Sequence, residues 1–317
     1  RARPALSLRT DAPTPEASRR MAGGLALASL GAIAFSGKAI IVKLAYRHGV
    51  DAVTLIMYRM LFALPIFLAM AWWATYRQAV RPTALNGRDW LGVLGLGISG
   101  YYLASFLDFA GLAYVSASLE RLILYLNPTL VLLLGRVLYG KPITLRQVVA
   151  MGVSYCGVLL VFGHEVNLQG GQIAWGTLLV FLSAVSYALY LVYSGEMVKR
   201  IGSLRLVGLA TSVACLCCLI QFAVLRPWSA ALVAPEVLWL SVLNATLCTA
   251  VPVLIVMMAI ERIGAGLTAQ TGMIGPLSTI LMGVLILGEP FTAWVAAGTV
   301  LVMAGIFVVT RGAQRRG

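Results

Sequence analysis

The amino-acid sequence predicts an all-α membrane protein of ten transmembrane helices, arranged as two inverted five-helix repeats. Three observations carry that prediction. Hydrophobic residues make up 60% of the 317 residues and charged ones 11%, with a mean hydropathy of +0.91. A soluble domain is nearer half apolar and about a quarter charged. The apolar residues gather into runs of about 20, the length that crosses a bilayer core. Finally, the phrase NPTLVLLLGRVLYGKPIT (Asn127–Thr144) returns as GPLSTILMGVLILGEPFT (Gly275–Thr292).

The elements follow in order. Residues 1–21 are polar, with Pro and Arg, and are expected to form a disordered cytoplasmic tail. Ten spans are then predicted over 22–46, 53–75, 90–114, 117–138, 145–163, 172–196, 205–226, 237–260, 265–288 and 292–311. The first lacks a clear cleavage site and carries Lys38 and Lys43, so it reads as a retained span rather than a signal peptide. Residues 312–317 form a basic cytoplasmic tail. Connections are short, and no stretch resembles a soluble domain.

The net charge of +13 reads as topology rather than nucleic-acid binding. Short cytoplasmic loops collect Lys and Arg. With the N-terminus inside, the inner face receives the tail arginines, Arg77, Arg81, Arg88, Arg136, Lys141, Arg146, Lys199, Arg200, Arg205, Arg262, Arg311, Arg315 and Arg316. The outer face receives Lys43, Arg47 and Arg226, a bias of about six to one. Both termini are thus expected in the cytoplasm, with the chain in the inner membrane.

The repeated phrases align without a gap. Pro128 falls on Pro276, Gly140 on Gly288, Pro142 on Pro290, Thr144 on Thr292 and Gly157 on Gly305. Small adjustments bring Trp90 onto Trp239, Gly24 onto Gly176 and Gly49 onto Gly202. The repeats are 22–163 and 172–311. Five spans per repeat is an odd number, so the copies must be inverted, related by a two-fold axis in the membrane plane. Lys141 then lies inside and its counterpart Glu289 outside, which accounts for the exchange of charge.

At this point the chain resembles the ten-span EamA type of the drug/metabolite transporter superfamily. The resemblance rests on Arg59 in MYRMLFALP, on SASLERLILYLNPTLVLLLG (Ser116–Gly135), and on GLTAQTGMIGPLSTILMGVLILGEPFT (Gly266–Thr292). It covers residues 22–311. One departure is GKP at Gly140, where the family usually has a Gly-Glu pair. The resemblance implies a secondary transporter that exports or exchanges small metabolites, amino acids among them. A flippase for lipid-linked carriers, or an accessory subunit of a membrane enzyme, is the alternative on the same fold.

Candidate site residues come from three patterns. Pro128 and Pro276, beside Asn127 and Gly275, interrupt spans four and nine near mid-depth, and paired interruptions point to a transporter's binding site. Plain bending for packing is the competing reading. Lys38, Arg59, Asp108, Glu120 and Arg121 are ionisable residues inside spans, each costing about 2.5–3.5 kcal/mol at mid-bilayer on insertion scales. Asp108 and Arg121 are expected to form a structural ion pair across a short loop. Lys38, with Ser36, is expected to face the cavity together with Glu120, and to read a carboxylate on the solute. The third pattern is polar and aromatic: Tyr101, Tyr102, Tyr125, Tyr187 and Tyr190, with Asn244, Thr249, Gln270 and Thr271. Individually such residues are more often interhelical glue.

The 5 cysteines all lie in apolar runs, and His is too scarce to complete a metal site around Cys215 and Cys218. No metal or other cofactor is expected. Neither a nucleophile elbow nor a phosphate-cradling loop is present, which argues against an enzyme. The expected partners are a small-molecule substrate, the lipid bilayer and a coupling proton or counter-solute, with no nucleic acid.

Overall fold

A computed structural model of the chain describes residues 15–76, 85–140 and 142–314. All regular structure among them is helical. The first half comprises α1 (Pro15–Tyr46), α2 (Ala52–Tyr76), α3 (Gly87–Leu96), α4 (Ala104–Leu112), α5 (Ala117–Leu124), α6 (Asn127–Tyr139) and α7 (Leu145–Gln169). The second comprises α8 (Gln172–Ile201), α9 (Ser203–Leu225), α10 (Pro235–Ala245), α11 (Val251–Thr271), α12 (Ile274–Met282) and α13 (Ala293–Gln314). Wide π-helical turns at Gly97–Leu103 and Thr246–Ala250 join α3 to α4 and α10 to α11, and a third at Gly283–Leu287 extends α12.

Nine of the helical segments among the described residues are long and apolar enough to cross a membrane. The span expected over 265–288 is built differently. Gly264 turns the chain inside α11, residues 265–271 resume the helix, and a shorter apolar helix follows over Ile274–Leu287. The start of α1 is a further difference. Residues 15–21 are helical rather than disordered, because Pro15 suits a first helical turn, Glu16 faces the positive helix end, and Ala and Arg propagate well. Arg77, Arg81, Lys141, Arg315 and Arg316 lie outside the described residues.

The two halves pack as exchangeable copies. α1 lies against α11 and α12, and correspondingly α8 lies against α4 and α6; α2 pairs with α9, and α7 with α13. Small residues permit these approaches. A Cβ on Gly24 would fall 2.3 Å from Ile263, and one on Gly176 would fall 2.6 Å from Tyr114, the mirrored contact. Gly157 and Gly305, aligned in sequence, both lie in the α7–α13 contact.

The repeated G-x-P-x-T phrase is helix punctuation. Gly140 and Gly288 end their helices in the left-handed region, at φ 63 and 73, which glycine adopts without a side-chain clash. Pro prevents the helix from resuming at once. Thr144 and Thr292 then accept the backbone N–H of Gln147 and Val295 at 3.3 Å each, capping α7 and α13.

Contacts tie the loops at each end of the bundle. At one end Arg226 Nε donates to Asp51 Oδ2 at 2.5 Å, and Arg47 donates to the Leu287 carbonyl at 2.9 Å. At the other, Arg200 meets the buried Asp89 at 2.9 Å, and Asp89 also closes a capping box with Asn86 on α3. These are called the Asp51 end and the Asp89 end.

Candidate functional site

A buried charge cluster lies where α1, α4, α5 and α12 meet. Lys38 Nζ on α1 is 2.5 Å from Asp108 Oδ2 on α4 and 3.3 Å from Glu120 Oε1 on α5. Glu120 is fully buried, with 0% exposure. Beyond that ion pair, neither of its oxygens accepts a well-formed hydrogen bond among the described residues.

The expected pair of Asp108 with Arg121 does not form, and Lys38 takes Asp108 instead. The reason is helical geometry. Adjacent residues on a helix point about 100° apart. With Glu120 turned toward Lys38, Arg121 is carried round to the side where α1 meets α12. There its Nη2 donates to Ser36 Oγ at 3.0 Å, and its guanidinium carbon lies 5.3 Å from the Phe35 ring centroid. Ser36 Oγ lies 2.7 Å from the Ala32 carbonyl and 2.9 Å from the Gly275 carbonyl, and donates its single proton to one of the two. A Cβ on Gly275 would come within 2.8 Å of Arg121 Nη2. Ser36, Lys38, Asp108, Glu120, Arg121 and Gly275 are thus one constellation.

Both interruptions are kinks, because Tyr125, Leu126 and Met273 keep right-handed helical φ/ψ. The chain turns at 125–126 before α6 and at 272–273 before α12. Pro128 sits in the first turn of α6, where a missing N–H leaves no helical bond unmade. Asn127 donates to the Leu124 carbonyl at 2.7 Å, so the residue beside the kink holds the end of α5. Pro276 and Gly275 are buried in α12. Tyr125 packs against an apolar cluster with Leu119 and Leu122.

The tyrosines form a second group around the first π-turn. Tyr190 lies on Gly100, where a Cβ would fall 2.4 Å from the ring. Its hydroxyl is 3.2 Å from that of Tyr101, and Tyr187 stacks on it with centroids 5.6 Å apart. Ser186 donates to the Ser99 carbonyl within the turn at 2.7 Å. Tyr102 packs instead toward Ala39, Ile40 and Phe109.

Arg59, Thr249 and Asn244 meet at the second π-turn. Arg59 Nε donates to Thr249 Oγ1 at 3.3 Å, and Thr249 Oγ1 donates to the Asn244 carbonyl at 2.8 Å. The Arg59 guanidinium lies 5.1 Å from the Phe109 ring centroid. Thr271 donates to Leu267 within its own helix, and the side chain of Gln270 lies outside the described residues.

Sequence reasoning missed a third feature, at the Asp51 end. Glu289, from the loop before α13, caps α5 in the other half. Its carboxylate accepts from the N–H of Ala117 at 2.7 Å, from the N–H of Ser118 at 3.3 Å and from Ser118 Oγ at 3.0 Å. Glu165 at the end of α7 accepts from Ser116 Oγ and, at 3.4 Å, from its N–H. The signal was Ser-Ala-Ser before an apolar run, an N-cap pattern. Nothing local indicated that distant acids would complete the cap. At the same end Asp51 is held below the usual carboxylate range. Burial pushes it upward, but hydrogen bonds from Thr54 and the Arg226 guanidinium outweigh that.

Two mainly apolar grooves, of about 530 Å³ between α7 and α13 and about 310 Å³ between α6 and α8, share no residue with the charge cluster.

Comparison with known proteins agrees with this construction. The family model described as the EamA-like transporter family matches twice, over residues 22–163 and 174–311. The uncharacterized transporter YcbK of Bacillus subtilis (strain 168) is 29% identical over 306 residues, covering 94% of this chain and 95% of that protein. An uncharacterized transporter of Archaeoglobus fulgidus is 22% identical over 286 residues, covering 90% and 96%. A protein solved by crystallography shares the fold, with a TM-score of 0.61 at 18% identity over 93% of this chain and 98% of its own.

Proposed function

The chain belongs to the EamA-like transporter family, and from that premise we propose that it is an alternating-access exporter or exchanger of small organic metabolites, amino acids or related solutes among them. One observation carries the reading: helices kinked at corresponding positions in two exchangeable halves, beside Pro128 and Pro276, accompany a buried charge cluster between α1, α4, α5 and α12. Inverted repeats give a scaffold two conformations of similar energy, each opening one end. The basic bias of the loops supports a cytoplasmic Asp89 end and an outer Asp51 end. The present structure ties the Asp51 end through Asp51–Arg226, Arg47–Leu287 and the Glu289 cap. Opening outward requires those ties to separate.

The charge cluster also offers a coupling element. Two carboxylates share the Lys38 ammonium. A proton, or an ammonium group on a counter-solute, can take the place of Lys38 on one of them as the halves move.

Purified protein in liposomes tests the reading. A panel of amino acids and small metabolites is assayed for flux, with and without a pH gradient. At least one solute should cross faster than in empty liposomes. No protein-dependent flux across the panel would reject it.

A further inference from the structure

We propose that Arg121 holds the carboxylate of the transported solute, at the kink before α12. The inference deepens the transporter reading and rests on it.

In the middle of the bundle three buried cations, Lys38, Arg59 and Arg121, accompany two buried carboxylates, Asp108 and Glu120. Lys38 engages both carboxylates. Arg59 spends its Nε on a hydroxyl and faces an aromatic ring. Arg121 is 8% exposed and has no carboxylate within ion-pair distance among the described residues. Its Nε has no hydrogen-bond partner there. A buried guanidinium without an anion is costly in a membrane interior. A solute carboxylate supplies what is missing: one negative charge and two acceptor oxygens matched to the guanidinium fork.

The surroundings are built around that group. Ser36 holds Nη2 at 3.0 Å and itself lies 2.9 Å from the Gly275 carbonyl. The Phe35 ring lies against the guanidinium. Gly275 lets the guanidinium approach the α12 backbone, since a Cβ there would fall 2.8 Å from Arg121 Nη2. The counterpart of Arg121 in the second half of the sequence is Ala269, so the repeat carries the cation once. Because the contacts of Arg121 come from α1 and from Gly275 in the first turn of α12, a carboxylate bound there is sensed by both halves of the chain. Lys38, expected from sequence to read the carboxylate, is already occupied.

The test uses flux in proteoliposomes of amino acids and their α-amides as matched pairs, in wild type, Arg121→Gln and Gly275→Ala. Wild type should prefer the acid over its amide. Arg121→Gln should lower acid flux about 10- to 100-fold, the range of one charged hydrogen-bonded contact, and leave amide flux within about two-fold. Gly275→Ala displaces only the flexible tip of Arg121, so it keeps the proposal testable if Arg121→Gln does not fold. It should raise the KM for acids and not for amides. Equal flux of acid and amide in wild type, or equal losses for both in the variants, would overturn the assignment and leave the transporter reading standing. No flux of any solute in wild type would overturn both.

Discussion

Lys38 bridges two carboxylates from different helices, so its removal is more damaging than the loss of a surface pair. Breaking a buried ion pair strands charge and costs about 3–5 kcal/mol. Lys38→Met should therefore lower the yield and thermal stability of the folded protein sharply. Asp108→Asn should be milder, because Glu120 still faces the ammonium. Adding Asp108→Asn to Lys38→Met should recover part of the loss. Thermal unfolding in detergent measures all three, and a double variant no better than Lys38→Met would contradict the shared-ammonium arrangement. At this scale the sequence announced the site only partly. Five charges inside apolar spans are visible to anyone counting residues. Which cation meets which anion depends on helix rotation and on partners more than 60 residues away, such as Asp108, 70 positions from Lys38. The expected Asp108–Arg121 pair rested on loop proximity, and a turn of about 100° between neighbours on α5 defeated it.

Among the elements, α5 depends most on help from elsewhere. It spans 8 residues, too few to be stable in isolation. Its N-terminus is held by Ser116, Glu165 and Glu289. Glu289→Ala should cost about 0.5–2 kcal/mol as a lost cap. Because the cap joins the two halves, its loss should also favour opening of the Asp51 end, seen as faster labelling of a cysteine placed at Val237, which is buried at the start of α10. Unchanged labelling would confine Glu289 to capping alone. The Asp51–Arg226 tie adds a pH dependence. A carboxyl held below its usual range stabilises the closed end above that range, and the contribution is lost as pH falls through the depressed value. Wild-type labelling should accordingly rise only in acid. Element boundaries were readable from apolar length, glycine, proline and threonine. The π-turns at Gly97–Leu103 and Thr246–Ala250 were not: an extra residue rotates the following side chains by about 100°, but spans apolar on most faces have no stripe to reveal it.

For the whole molecule, the duplicated sequence foreshadowed the duplicated packing: Gly24 and Gly176, which correspond in the two repeats, make mirrored contacts. The sequence could not show which loops are tied together at the Asp51 end, since those ties join residues as distant as Arg47 and Leu287. The central claim is that transport requires this end to open and close. The direct test replaces the five native cysteines with alanine, introduces Ala117→Cys and Glu289→Cys, and bridges them with a short reductively cleavable linker. Solute flux in proteoliposomes is then measured before bridging, after bridging and after reduction. Alternating access predicts that bridging abolishes flux and that reduction restores it. Full flux through the bridged protein would contradict the account.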